Sequence, residues 1–149
     1  MGVDVEVSRV MHRPRVMVAQ YAANVENATQ WYANIKSVEW KTPHELRPGS
    51  RVAFVAHFLG RRLSYTYEIV EYSPGAVLRM RTTEGPFPME TTYRWSDAPG
   101  GATVMTLRNR GNPTGFARLV TPFVGAAMRS AMNRDLERLA RILEDQGSI

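Results

Sequence analysis

RVAFVAHFLGRRLSYTYEIVEYSPGAVLRMRTTEGPFPMETTYRWSDAPGGATVMTLRNRG, residues 51–111, decides the fold of this chain. Apolar and polar side chains alternate through it with a period of two, as in Val52, Phe54, Ala56 and Phe58, then Leu63, Tyr65, Tyr67 and Ile69. That is the spacing of half-buried strands, not of helices. Turn formers interrupt the alternation at Gly60, Pro74-Gly75, Gly85-Pro86 and Pro99-Gly100-Gly101, with Pro48-Gly49 upstream. The runs they separate are residues 35–41, 51–59, 62–72, 76–83, 89–96 and 102–110. Connections this short leave no room for crossover helices, so the six strands are expected to form an antiparallel meander.

Upstream, Val3, Val5 and Val7 alternate with Asp4, Glu6 and Ser8 and give a further strand running to about Met11. Pro14 suits the first turn of a short helix holding Val16, Val18, Ala19, Tyr21 and Ala22 and broken near Asn24; a second short helix is expected over residues 25–32. Downstream, residues 112–115 read as a loop. Val124, Met128, Ala131, Met132, Leu136, Leu139, Ala140 and Leu143 then recur at the three-and-four spacing of an amphipathic helix reaching about Asp145. Pro122 is expected to set residues 116–121 apart as a turn or kinked leading segment. No repeat or linker divides the chain, so its 149 residues are expected to form one domain.

Composition removes several function classes. The chain has 44% hydrophobic and 22% charged residues and no cysteine, which excludes disulfides, thiol nucleophiles and thiolate-held metals. Residues 1–11 lack a secretory pattern, Gly2 lacks the Ser or Thr of a myristoylation motif because Glu6 stands there, and no apolar run reaches the length of a membrane span. A cytoplasmic location is the expectation. The net charge of +5 sets 17 arginines and the two lysines Lys36 and Lys41 against 14 acidic residues. Those arginines are scattered from Arg9 to Arg141, adjacent only at Arg61-Arg62, so they describe a solvated surface and no nucleic-acid partner is expected.

Such a helix and sheet must bury their apolar faces against each other. The expected inward set includes Val52, Phe54, Ala56, Phe58, Leu63, Tyr65, Tyr67, Ile69, Leu78, Met80, Met89, Thr91, Tyr93 and Trp95. Several of these carry polar atoms that need partners once buried. On the last strand hydrophobicity favours Met105 and Leu107 as the inward pair, and a slip of one residue would turn Val104, Thr106 and Arg108 inward instead.

The order of elements resembles the helix-grip fold of the START-related polyketide cyclase and lipid-transport superfamily (SRPBCC) over nearly the whole chain. The resemblance rests on Pro14, Asn27 to Trp31, Lys36-Ser37-Val38-Glu39, Pro48-Gly49-Ser50-Arg51-Val52, Tyr67-Glu68-Ile69-Val70-Glu71-Tyr72-Ser73-Pro74 and Gly85-Pro86-Phe87. The usual Gly-Gly-Thr-Arg turn reads Gly100-Gly101-Ala102-Thr103 here, a departure confined to a hairpin. The resemblance implies an α+β fold: a seven-stranded antiparallel sheet wrapped round a long C-terminal helix, with two short helices after the first strand. It also implies that Val104, Thr106 and Arg108 face inward. Members of the superfamily bind lipids, quinones, sterols or polyketides, and some catalyse cyclisation or aromatisation.

With that fold, a cavity for a small hydrophobic molecule is expected, lined by Trp31, Phe54, Phe58, Tyr65, Tyr67, Phe87, Met89, Thr91, Tyr93, Trp95, Arg108, Phe123 and Met128. The hydroxyls would orient the ligand, Met80, Met89, Met105, Met128 and Met132 would adapt to its shape, and an inward Arg108 would clamp an anionic group. The entrance is expected among Trp31-Tyr32, residues 85–88 and residues 116–123. No catalytic constellation is fixed by spacing. His12, His44 and His57 lack ligand spacing, so no metal is expected; no nucleotide fingerprint calls for a cofactor; Ser64 has no base beside it. Glu68 and Glu90 read as outer-face charges, whereas Glu71 shares the phase of Tyr67 and Ile69 and would be an acid–base candidate if buried. Ligand binding is the first reading, a cyclase or aromatase the alternative, and a module meeting a protein or, transiently, an anionic membrane the third. Oligomeric state is not encoded in these patterns.

Overall fold

A computed structural model describes residues 2–112 and 121–146. Strand β1 (Val3–Met11) leads into α1 (Arg15–Ala23), a 3₁₀ turn (Val25–Asn27) and the single turn α2 (Ala28–Trp31). Then follow β2 (Ile35–Trp40), β3 (Arg51–Phe58), β4 (Arg61–Ser73), β5 (Val77–Glu84), β6 (Met89–Ala98) and β7 (Ala102–Gly111), and the helix α3 (Thr121–Gln146) closes the chain. Pro14 stands at the N-cap of α1, where its carbonyl accepts the amides of Met17 and Val18. Asn24 ends α1 and caps the 3₁₀ turn by accepting the Glu26 amide at 3.1 Å. Pro122 falls in the first turn of α3, where its missing N–H costs no hydrogen bond. Of the separate segment expected at residues 116–121, Thr121 is the first residue of α3 and the rest lies outside the described residues.

The seven strands form one antiparallel sheet in the order β1-β7-β6-β5-β4-β3-β2. The meander runs from β2 to β7, and β1 joins its far edge by pairing with β7. The 13-residue β4 carries register shifts between Thr66 and Tyr67 and between Ile69 and Glu71. Such bulges bend and twist a strand, which curls the sheet around α3. Its concave face buries Val52, Phe54, Ile69, Leu78, Met80, Met105 and Leu107 in one core with Val124, Met132, Leu136, Leu139 and Leu143 of α3. The helix is tied to β1 by Arg129, whose guanidinium donates to the Glu6 carbonyl at 3.0 Å, and by Glu144, which accepts the His12 amide.

Two inward-face expectations are corrected. On β7, Thr103, Met105 and Leu107 are fully buried and Arg108 points out, paired with Asp4 across β1. Hydrophobicity fixes this register: Met105 and Leu107 face Trp95 and Tyr93 on β6, and the slip would have put a guanidinium in the core. Glu71 also lies outside, in an ion pair with Arg79 at 3.4 Å. The bulge at Val70 advances the phase by one residue, so a strict period of two counted through it assigns Glu71 to the wrong face.

Candidate functional site

The core does not fill the whole space between α3 and the sheet. A cavity of about 160 Å³ remains, walled by Phe54, Phe58, Leu63, Tyr65, Tyr67, Met80, Thr91 and Tyr93 of the sheet and by Val124, Met128, Ala131, Met132 and Asp135 of the helix. Pro86, Phe87 and Met89, and Tyr32, Asn34 and Ile35 from around α2, also line it. The rings form a connected wall: Tyr65 stacks on Phe54 at 5.5 Å and meets Tyr67 edge-on at 5.1 Å.

Two hydrogen-bonded polar groups are set into this wall. Thr91 Oγ1 donates to Asn109 Oδ1 at 2.5 Å and lies 2.6 Å from the Tyr67 hydroxyl. A hydroxyl has one proton, so Thr91 must accept from Tyr67, and the chain runs Tyr67 to Thr91 to Asn109. Nearer the helix, the Tyr32 and Tyr93 hydroxyls are 2.6 Å apart. One proton serves that bond, which leaves the other free to donate to a ligand. Burial raises the pKa of all four lining tyrosines, pushing Tyr67 up to about 12 and lifting Tyr32, Tyr65 and Tyr93 as well. At neutral pH they are phenols, able to donate but not to act as bases.

Asp135 is the acidic group of the wall, only 3% exposed. Oδ1 accepts the Ala33 amide at 3.0 Å, which ties α3 to the turn between α2 and β2. Burial pushes its carboxyl up to about 6, against smaller opposing effects of that hydrogen bond and of Arg134 and Arg138. Sequence reasoning passed over Asp135 by looking for acids on the strands. Its signal was present: Met128, Ala131, Met132, Asp135 and Leu139 share one helical face, and an acid on an apolar stripe is the anomaly to pursue. Asn34 and Asn109 were also missed, and nothing in local periodicity marks either asparagine; Tyr32 was expected only at the entrance.

Of the residues expected to line a cavity, the structure brings together Phe54, Phe58, Tyr65, Tyr67, Phe87, Met89, Thr91, Tyr93 and Met128. Trp31 is fully buried behind the wall, its ring 4.1 Å from that of Tyr32 and 5.7 Å from that of Tyr93, so it supports the polar pair without reaching the cavity. Trp95 is likewise outside the cavity: two residues farther along β6, it packs edge-on against Tyr93 in the solid part of the core. Arg108 lies on the opposite face of the sheet, as described above. Phe123 is 71% exposed, because one residue along a helix is a turn of about 100° and its neighbour Val124 takes the inward position. Tyr32, Pro86 and Phe87 border the cavity where an entrance was expected, and residues 116–120 of that entrance lie outside the described residues. A shallow recess shares Asn34, Phe58 and Ala131 with the cavity and opens past His57 and Gly60.

Among the described residues no three His, Asp or Glu side chains group closely enough to hold a metal. No helix among them is long and apolar enough to cross a membrane. The family model for polyketide cyclase/dehydrase and lipid transport matches residues 2–144. No curated protein matches the sequence significantly. Similar solved structures include a protein of Thermus thermophilus (20% identity, 97% of this chain and 99% of that one, TM-score 0.82). They also include the Zhui aromatase/cyclase of Streptomyces (17%, 97% and 94%, TM-score 0.80) and a START superfamily protein of Mycobacterium smegmatis (12%, 96% and 98%, TM-score 0.80). At these identities the likeness establishes the helix-grip fold.

Proposed function

Because the chain belongs to the polyketide cyclase/dehydrase and lipid-transport family, we propose that it binds a small, largely apolar molecule in the cavity between α3 and the sheet. The observation that carries this reading is an apolar cavity with polar groups at defined places, the Tyr67–Thr91–Asn109 chain and the Tyr32–Tyr93 pair. A module acting only through its surface needs no such space. The volume of about 160 Å³ favours a one-ring or short-chain ligand over a sterol, since a cavity of roughly 150 Å³ accepts benzene. A ligand hiding on the order of 200 Å² of apolar surface gains about 5 kcal/mol at 25 cal/mol per Å². Association costs reduce that, so hydroxyl contacts decide affinity as well as orientation.

Native mass spectrometry of the gently purified protein, followed by denaturing extraction, tests this reading. A stoichiometric small-molecule adduct supports it; an apo mass that stays unchanged against a panel of one-ring compounds contradicts it. A second reading, ring closure of a poly-β-ketone chain, is favoured by Asp135, a buried carboxyl titrating near neutrality beside phenolic donors. Turnover of such a chain, lost in Asp135→Asn with binding retained, supports it over simple carriage.

A further inference from the structure

We infer that the cavity selects its ligand by charge, taking a one-ring or short-chain molecule that carries a cationic amine in preference to a neutral one, and excluding a carboxylate. The inference rests on the ligand-binding reading above and adds the chemical class of the ligand.

Among the described residues that line the cavity, Asp135 carries the one ionisable carboxylate, and no Arg, Lys or His is present. Arg108, the cation expected to receive an anionic ligand, is on the far side of the sheet, held by Asp4. Asp135 uses Oδ1 for the Ala33 amide, and the residue, 3% exposed, borders the cavity. A carboxylate set in a largely apolar cavity without a counter-charge is costly, and an ammonium group supplies both a hydrogen-bond donor and the opposite charge. The groups facing Asp135 from the α2–β2 turn and from β6 are Tyr32 and Tyr93, both neutral phenols close enough for its charge to raise their pKa further. On its own helix, Arg134 and Arg138 are exposed and form no ion pair with it. The lining adds to the preference, because a cation that reaches the face of an aromatic ring such as Tyr32, Tyr65, Tyr93 or Phe54 is attracted to it when desolvated. A carboxylate would meet Asp135 across a low-dielectric space with no counter-charge, so one of the two acids would have to take up a proton.

Benzylammonium, benzyl alcohol and benzoate share one ring and differ in charge, and titrations of the full chain followed by backbone amide NMR shifts compare them at pH 7.5. The inference expects benzylammonium to bind at least tenfold more tightly than benzyl alcohol, benzoate to be the weakest, and Asp135→Asn to remove the advantage of the amine over the alcohol. Lowering the pH of the wild type to 5 is expected to remove the same advantage, a readout that does not depend on the variant folding. Saturable binding of benzyl alcohol with no preference for the amine, or with benzoate equal to it, overturns the charge selection and leaves the cavity reading standing. No saturable shifts with any of the three compounds overturns both.

Discussion

The buried carboxyl of Asp135 makes the stability of this protein depend on pH in an unusual direction. Most native carboxylates are paired and lose stability as they are protonated, whereas Asp135 is raised from 3.8 to about 6 by burial. The folded chain therefore holds this proton at pH values where the unfolded chain has released it. The contribution is fully present below the unfolded value, is lost as the pH rises through about 6, and is flat above. Two pH units correspond to about 3 kcal/mol. The side chain is 3% exposed, so solvent screening removes little of this. Asp135→Asn keeps a carbonyl oxygen for the Ala33 amide and cannot ionise, so it imitates the protonated state at every pH. Urea denaturation of wild type and variant, repeated from pH 4.5 to 7.5, is the assay. Because about 1 kcal/mol of the contribution is already lost at pH 4.5, the variant is expected to gain about 2 kcal/mol on the wild type between pH 4.5 and 7.5. A difference that is independent of pH, or one that runs the other way, would refute the assignment of a buried, proton-retaining carboxyl.

Other substitutions test the remaining walls. Tyr67→Phe removes the donor to Thr91 and is expected to cost about 1 kcal/mol of stability by urea denaturation while altering which one-ring ligands bind; unchanged ligand preference counts against the polar chain as a selector. Gly111→Ala places a methyl group against Met89 Sδ and the Pro88 carbonyl, where β7 meets the start of β6, and is expected to cost about 1–3 kcal/mol. A melting temperature equal to that of the wild type would contradict that close approach. Arg108→Gln, on the outer face, is expected to leave the affinity for benzyl alcohol unchanged, and a loss of binding would place the guanidinium in the cavity after all.

The fold was legible because its signals are local and repeated. Pro-Gly and Gly turns bound every long strand, and the stripe from Val124 to Leu143 has no strand-like alternative. Most of the cavity wall followed from the same alternation, as with Phe54, Tyr65, Tyr67, Thr91 and Tyr93. What alternation cannot register is a change of phase, and the bulge at Val70 carried Glu71 to the outer face for that reason. Nor does facing inward distinguish a packed position from an open one: Tyr93 and Trp95 share a face of β6, yet only Tyr93 borders free space, because the position of α3 over the sheet is set by tertiary packing. The family pattern and hydrophobicity disagreed about Arg108, and the cost of burying an unpaired guanidinium decided between them. Asp135 was readable in the helical register, as an acid among methionines and leucines.

The central claim is that the space between α3 and the sheet is a ligand site and not a packing gap. Ala131 lines that space from the helix, and a phenyl group placed there would occupy much of it. Benzyl alcohol titrated into wild type and Ala131→Phe, followed by backbone amide NMR, tests the claim directly. The account predicts saturable shifts at Met80, Tyr93 and Met132 in the wild type and none in a variant that remains folded. Equal shifts in both proteins, or shifts confined to the outer surface, would contradict it.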